Sequence, residues 1–110
     1  MSKDVDLIEL GTVEWDEQLP GIQLRTVPAP DGSVWNLVKY APGAVRDDVW
    51  CTKGHRGFVF EGEMSYEYQD DGSRFAVSAG NGFIVNSGRA HRGHNFSNAE
   101  ASFMMIDDAN

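Results

Sequence analysis

The sequence predicts an all-β protein of one domain, a sandwich or barrel. Three observations carry this. Glycine and proline punctuate the 110 residues throughout. Between them lie short runs rich in β-branched and aromatic residues, at the spacing of sandwich and barrel strands. No stretch sets apolar residues at i, i+3, i+4 and i+7, so no long helix is expected.

Taken in order, Gln23-Leu24-Arg25-Thr26-Val27 and Val34-Trp35-Asn36-Leu37-Val38-Lys39-Tyr40 each alternate in part. Gly57-Phe58-Val59-Phe60 and Glu63-Met64-Ser65-Tyr66-Glu67-Tyr68 follow. Arg74-Phe75-Ala76-Val77, Gly82-Phe83-Ile84-Val85 and Ala101-Ser102-Phe103-Met104-Met105-Ile106 complete the set. Pro42-Gly43 reads as a type II turn, proline presetting one dihedral and glycine supplying the next. Asp71-Gly72 reads as a hairpin, because both residues tolerate positive φ. Gly62 and Gly80 stand where strands end and the chain bends sharply.

Composition narrows the function classes. Charged residues make up 24% and hydrophobic residues 41%, the balance of a globular domain. Net charge is −8, which argues against nucleic acid and against an anionic membrane surface as partners. The acidity reads as solubility. There is one cysteine, so no internal disulfide forms, and Cys51 is expected as a free thiol. The start, Met-Ser-Lys-Asp-Val-Asp, has no apolar leader pattern, and no long apolar run follows. A cytoplasmic, reducing setting is the expectation.

The most informative feature is a pair of glycine-bounded segments that hold all three histidines and the cysteine. The first is Gly43-x5-Val49-x-Cys51-x3-His55-x6-Gly62, and the second is Gly80-x5-Asn86-x-Gly88-x2-His91-x3-Asn95. Their spacing resembles the two motifs of the cupin family at every step. Phe58-Val59-Phe60-Glu61-Gly62-Glu63 looks like that family's strand and turn, while Asn86 stands where the second motif usually has proline. The motifs, at 43–62 and 80–95, cover about a third of the chain. The resemblance implies one cupin domain over 1–110, with a short lead-in at 1–6, folded as a jelly-roll barrel of the double-stranded β-helix type.

In typical cupins, two histidines and a glutamate of the first motif and one histidine of the second hold a divalent metal. Here His91 stands at the second-motif histidine position, and His55 stands where the glutamate would be. Cys51 replaces one histidine, and Val49 replaces the other and cannot coordinate. The resemblance thus implies a metal set of Cys51, His55 and His91. One thiolate with two imidazoles favours zinc, with nickel or copper after it, over the metals of oxygen-rich sites. Three protein ligands with an open fourth position is the pattern of catalytic zinc. A non-haem iron dioxygenase commonly uses two histidines and a carboxylate, and is less favoured. Asp47 or Asp48 would be needed for that carboxylate, and neither stands in the family register. No organic cofactor is expected.

Each residue also has a plain structural reading. Cys51 on a strand is as well explained as a small buried hydrophobe, and His55 as a core histidine bonded to a carbonyl. His94, of opposite parity to His91, is expected to point outward. The aromatic residues Trp35, Phe58, Phe60, Tyr66, Phe75, Phe83 and Phe103 read as core and sheet packing, Met104 and Met105 as core filler, and Asp107-Asp108 as a solvated end. Trp50, between Val49 and Cys51, is a candidate to flank the cavity. Arg46, Arg89 and Arg92 are candidates at the barrel mouth for a substrate carboxylate, against the plainer reading of surface pairs. Asn95 matches the family's closing asparagine, a position more often structural than catalytic, and it is kept as a further cavity candidate.

Three functions follow. The first is a cupin that binds a small molecule in its barrel at a Cys/His metal centre, either as a binder or as a metal-dependent lyase, isomerase or hydrolase. The second is a metal-free ligand-binding or sensing barrel without catalysis. The third makes Cys51 a nucleophile with His55 or His91 as base, and the sequence offers no third orienting group for it. The fold alone does not choose among these. No helix-turn-helix pattern accompanies the barrel. The resemblance also suggests a homodimer, with which the apolar content of residues 34–40 is compatible.

Overall fold

The computed structural model describes residues 4–47 and 49–109. Asp48, one of the two carboxylates weighed above, lies outside the described residues, as does the start of the lead-in. After a 3-10 turn at Leu10–Thr12, nine strands follow among these residues: β1 (Asp16–Leu19), β2 (Ile22–Pro28), β3 (Val34–Tyr40), β4 (His55–Glu61), β5 (Glu63–Tyr68), β6 (Arg74–Ser78), β7 (Gly82–Val85), β8 (His91–His94) and β9 (Ala101–Asp107). No helix of the described residues is long and apolar enough to cross a membrane.

The strands form two antiparallel sheets. One has six strands in the order β1-β2-β3-β9-β4-β7, and the other has three in the order β6-β5-β8. Alternation decides which side chains face inward. In β9, Ala101 and Phe103 are buried, and in β3 Asn36, Val38 and Tyr40 are. These meet Met64, Tyr66 and Val77 of the smaller sheet in one core. Tyr66 is packed between Phe75 and Phe83, with ring centroids 5.7 and 5.4 Å away.

The turns behave as their residues predict. The Ala44 amide donates to the Ala41 carbonyl at 3.0 Å across Pro42-Gly43, and Gly43 has φ +76°, the geometry of a type II turn. Gly62 takes φ +73° between β4 and β5, and a Cβ there would collide with the Glu100 carbonyl. The β5–β6 hairpin closes through an Asx turn, with Asp71 Oδ1 accepting from the Ser73 amide at 2.8 Å.

Two expectations about packing need correction. Phe58 and Phe60 are not core, because β4 turns them to the outer face, where they are 40% and 48% exposed. The inward positions of that strand are His55, Gly57 and Val59. Met104 shares the outer face with Phe58, its cross-strand partner, whereas Met105 points inward onto the core. Ile84 and Ile106 extend this apolar outer surface through the pairs Arg56↔Ile84 and Arg56↔Ile106.

Candidate metal centre

The two motifs meet at the inner face of the barrel. His55 opens β4 and His91 opens β8, each at an inward, buried position. Cys51 is not on a regular strand. It lies in the connection between β3 and β4 and touches β8 through one antiparallel bridge, Cys51↔His91. Reciprocal backbone bonds close that bridge, Cys51 N to His91 O at 2.8 Å and His91 N to Cys51 O at 2.9 Å. The side chains of Cys51, His55 and His91 each offer one ligand atom, and these atoms all lie within 4.8 Å of one another. The His55 and His91 rings stand edge to face, 5.0 Å between centroids.

Hydrogen bonds fix the tautomers. His91 Nδ1 is 2.8 Å from the Arg89 carbonyl, which can only accept, so Nδ1 carries the proton. Nε2 then keeps its lone pair, and it is a buried atom without a hydrogen-bond partner among the described residues. Burial holds the His91 imidazole below its ordinary pKa against the pull of that carbonyl bond, and the neighbouring His55 lowers it further. A neutral imidazole is the form that coordinates.

His55 is set in the same way by a residue the sequence reading set aside. Asp107 Oδ1 lies 2.6 Å from His55 Nδ1. An ionised carboxylate only accepts, so His55 donates from Nδ1 and leaves Nε2 free. Asp107 is therefore not a solvated end but the last inward residue of β9, paired directly with His55 across the sheet. It is the third orienting group that was missing. Cys51 Sγ accepts from the Lys53 amide at 3.4 Å.

The donor set fits a metal ion. Tetrahedral zinc with one sulfur and two nitrogens holds its ligand atoms about 3.5 Å apart. Ligand atoms within 4.8 Å reach that by side-chain adjustments of about 1 Å. Both imidazoles are oriented by a bond at the opposite nitrogen, as ligating histidines are. No carboxylate joins the group among the described residues, since Asp107 faces the far side of the His55 ring.

The trio borders a cavity of about 330 Å³, whose walls include Gln18, Tyr40, Arg46, Val49, Lys53 and Tyr66. Of the residues weighed for the cavity, Arg46 and Arg92 line it. Arg89, Trp50 and Asn95 lie elsewhere. Arg89 holds Asp70 with two bonds of 2.8 Å and stacks on Tyr68, 3.8 Å from its ring centroid. Trp50 lies under the Arg92 guanidinium at 4.4 Å. Asn95 is fully buried, and its side chain ties together the carbonyls of Tyr40, Ala41 and Ala99 and the amide of Ser97. That is a structural role. His94 does face away from His91. It is half-buried, bonded to Glu67 at 3.0 Å and stacked on Phe96. Tyr40, Lys53 and Asp107 were missed, although continuing the β9 alternation one step would have turned Asp107 inward.

No protein-family model and no curated protein matches the chain. Solved structures do. An RmlC-like cupin from Shewanella frigidimarina superposes with a TM-score of 0.71 at 15% identity, over 91% of this chain and 86% of that one. KdgF from Halomonas sp. gives 0.66 at 20% identity, over 88% and 87%. A variant of the oxalate decarboxylase of Bacillus subtilis gives 0.72 at 18% identity, over 91% of this chain but 28% of that one. The spacing of the two motifs, the two packed antiparallel sheets and these superpositions make the chain a small cupin by fold.

Proposed function

We propose that this cupin binds a small molecule in its barrel at a divalent metal held by Cys51, His55 and His91, with zinc preferred over nickel or copper. The observation that carries the reading is the orphaned His91 Nε2, buried within a group whose ligand atoms lie within 4.8 Å. A buried acceptor left without a partner costs about 1–3 kcal/mol, and coordination would remove that cost. Such an ion supplies Lewis acidity, which polarises a carbonyl or lowers the pKa of water, the chemistry of lyases, isomerases and hydrolases. The chain's own contribution is orientation. Asp107 holds the His55 ring, the Arg89 carbonyl holds the His91 ring, and the Lys53 amide steadies the sulfur.

Elemental analysis of the purified protein, before and after chelation, tests this. Stoichiometric transition metal in the native chain, lost in Cys51→Ser and His91→Ala, is the expected result. Absence of metal after reconstitution sinks the reading and leaves a metal-free ligand-binding barrel.

A second reading is favoured by one bond. The 2.6 Å contact of His55 with Asp107 completes a Cys51–His55–Asp107 arrangement of nucleophile, base and orienting carboxylate. Alkylation by iodoacetamide at neutral pH separates the two. A nucleophilic thiolate reacts at once, whereas a metal-held sulfur reacts after chelation.

A homodimer remains a proposal, supported by the exposed Phe58, Phe60 and Ile84 on one sheet face. Light scattering that shows a clean monomer at micromolar concentration would remove it.

A further inference from the structure

We infer that Arg46 and Tyr40 form a carboxylate-recognition site, and that the cavity takes a small organic acid. This rests on the cavity being the ligand site, as proposed above, and names the class of ligand.

The first ground is charge. The chain carries −8 overall, yet the cavity wall holds Arg46, Lys53 and Arg92 against the single carboxylate of Asp107. Asp107 is engaged by His55. Arg92 is paired with Glu67 at 2.7 Å and with Asp47 at 3.9 Å. Arg46 has no carboxylate partner among the described residues. A half-buried cation with neutral partners loses hydration without gaining a counter-charge. An anionic ligand supplies that charge.

The second ground is geometry. Arg46 Nε donates to Tyr40 Oη at 3.0 Å, and Nη2 donates to Gln18 Oε1 at 3.2 Å. A guanidinium has five N–H groups, and these bonds use two of them. Both N–H groups of Nη1 and one of Nη2 are left, the adjacent donors that match a carboxylate in bidentate fashion. Tyr40 Oη accepts from Arg46, so its own hydroxyl proton is available for a ligand oxygen.

The third ground is that the pair is built in from several sides. Tyr40 is 2% exposed, and burial keeps its hydroxyl protonated. A Cβ at Gly93 would lie 2.7 Å from Tyr40 Oη, so the strand that carries His91 keeps a glycine where the phenol sits. The Gly93 carbonyl also accepts from the Arg46 amide at 3.3 Å. Gln18 reaches the guanidinium from β1. A volume of about 330 Å³ is at the small end of ligand sites, which suits a short acid.

Isothermal titration calorimetry of the full chain tests the inference, with lactate, pyruvate, malonate and succinate as probes and lactamide as the uncharged counterpart. Metal-loaded and chelated protein are both titrated, and metal content and melting temperature are measured on every sample. At least one acid is expected to bind, with lactamide at least about tenfold weaker than lactate. Arg46→Gln should weaken the acids about tenfold to a hundredfold while metal content stays at the wild-type level. Arg46→Lys should recover part of that loss, and Tyr40→Phe should lose about tenfold. The two conservative variants keep the test open should Arg46→Gln fail to fold. Equal binding of lactate and lactamide, unchanged acid binding without the Arg46 guanidinium, or no acid binding at about 10 mM overturns the inference. Selective acid binding by a protein that never takes up metal supports Arg46 and overturns the metal reading alone.

Discussion

His91 and Asn95 of the second motif sit under different constraints from Val49 and Cys51 of the first. His91 is on a regular strand, paired with Tyr68 on one side and bridged to Cys51 on the other. Asn95 is fully buried and joins three carbonyls and one amide. The first motif begins in an irregular connection. Val49 is 43% exposed, and Cys51 is attached to the sheet by a single bridge. Regularity returns at His55, which Asp107 fixes from β9. The centre thus joins two histidines set by the scaffold to one thiol set by a loop. On the metal reading proposed above, the scaffold supplies the two imidazoles and the loop supplies the sulfur.

Cys51→Ser breaks that comparison hardest. It removes the soft donor and leaves two imidazoles, so stoichiometric metal should be lost. Melting of the metal-free protein should change by less than about 1 kcal/mol, because the loop holds little of the core. Elemental analysis beside a thermal melt reads both. A variant that keeps its full metal content would show that the loop cysteine is no ligand.

Asn95→Ala attacks the other side, where the expected effect is on stability and not on chemistry. Removing a buried amide takes one hydrogen bond from each of three carbonyls and strands the Ser97 amide, for a loss of about 3 kcal/mol in chemical denaturation. A loss below about 1 kcal/mol would mean that water replaces the amide and that the second motif is less rigid than its bonds suggest.

Asp107→Asn tests the joint between scaffold and centre. An amide can still reach His55 Nδ1, but it no longer enforces the N–H donor state. Metal affinity should fall about tenfold to a hundredfold with little change in the melt. Unchanged affinity in a competition titration would put Asp107 outside the metal's support and favour the nucleophilic reading of Cys51.

The same contrast explains what the sequence disclosed. β3, β5 and β7 are bounded as read, because glycine or proline and alternating apolar residues mark both faces and both ends. β1 was invisible. Asp16, Glu17 and Gln18 are exposed on an edge strand, and an edge needs no apolar face. β8 was hidden because its inward residues are His91 and Gly93, which carry no hydrophobic signal. The grouping of Cys51, His55 and His91 was legible because motif spacing is covalent. The residues that orient it were not, because Asp107 and the Arg89 carbonyl reach the imidazoles through register and backbone. Arg89 and Trp50 failed as cavity residues because nearness to the motif in sequence does not fix which face a side chain takes. Phe58 and Phe60 were misplaced for a related reason. A strand with large residues on both faces does not disclose which face is the core.

Glu67 offers the finest test of how firmly the second motif is held. It grips β8 from the outside, bonding Arg92 at 2.7 Å and His94 at 3.0 Å. Burial alone would raise its pKa, but the bonds to Arg92 and His94 outweigh that and hold the carboxyl below its ordinary value. The unfolded chain therefore binds the proton more readily. The stabilisation from Glu67 is complete above the ordinary glutamate range near pH 4.5 and is lost as pH falls through the lower folded value. Glu67→Gln should cost about 1 kcal/mol at pH 7, and the difference from the native chain should shrink as the pH approaches 3. Parallel stability curves for the two proteins from pH 7 to pH 3 would show that β8 holds its histidine without this outer clamp. The inner bridge to Cys51 would then matter more for His91 than the comparison assumes.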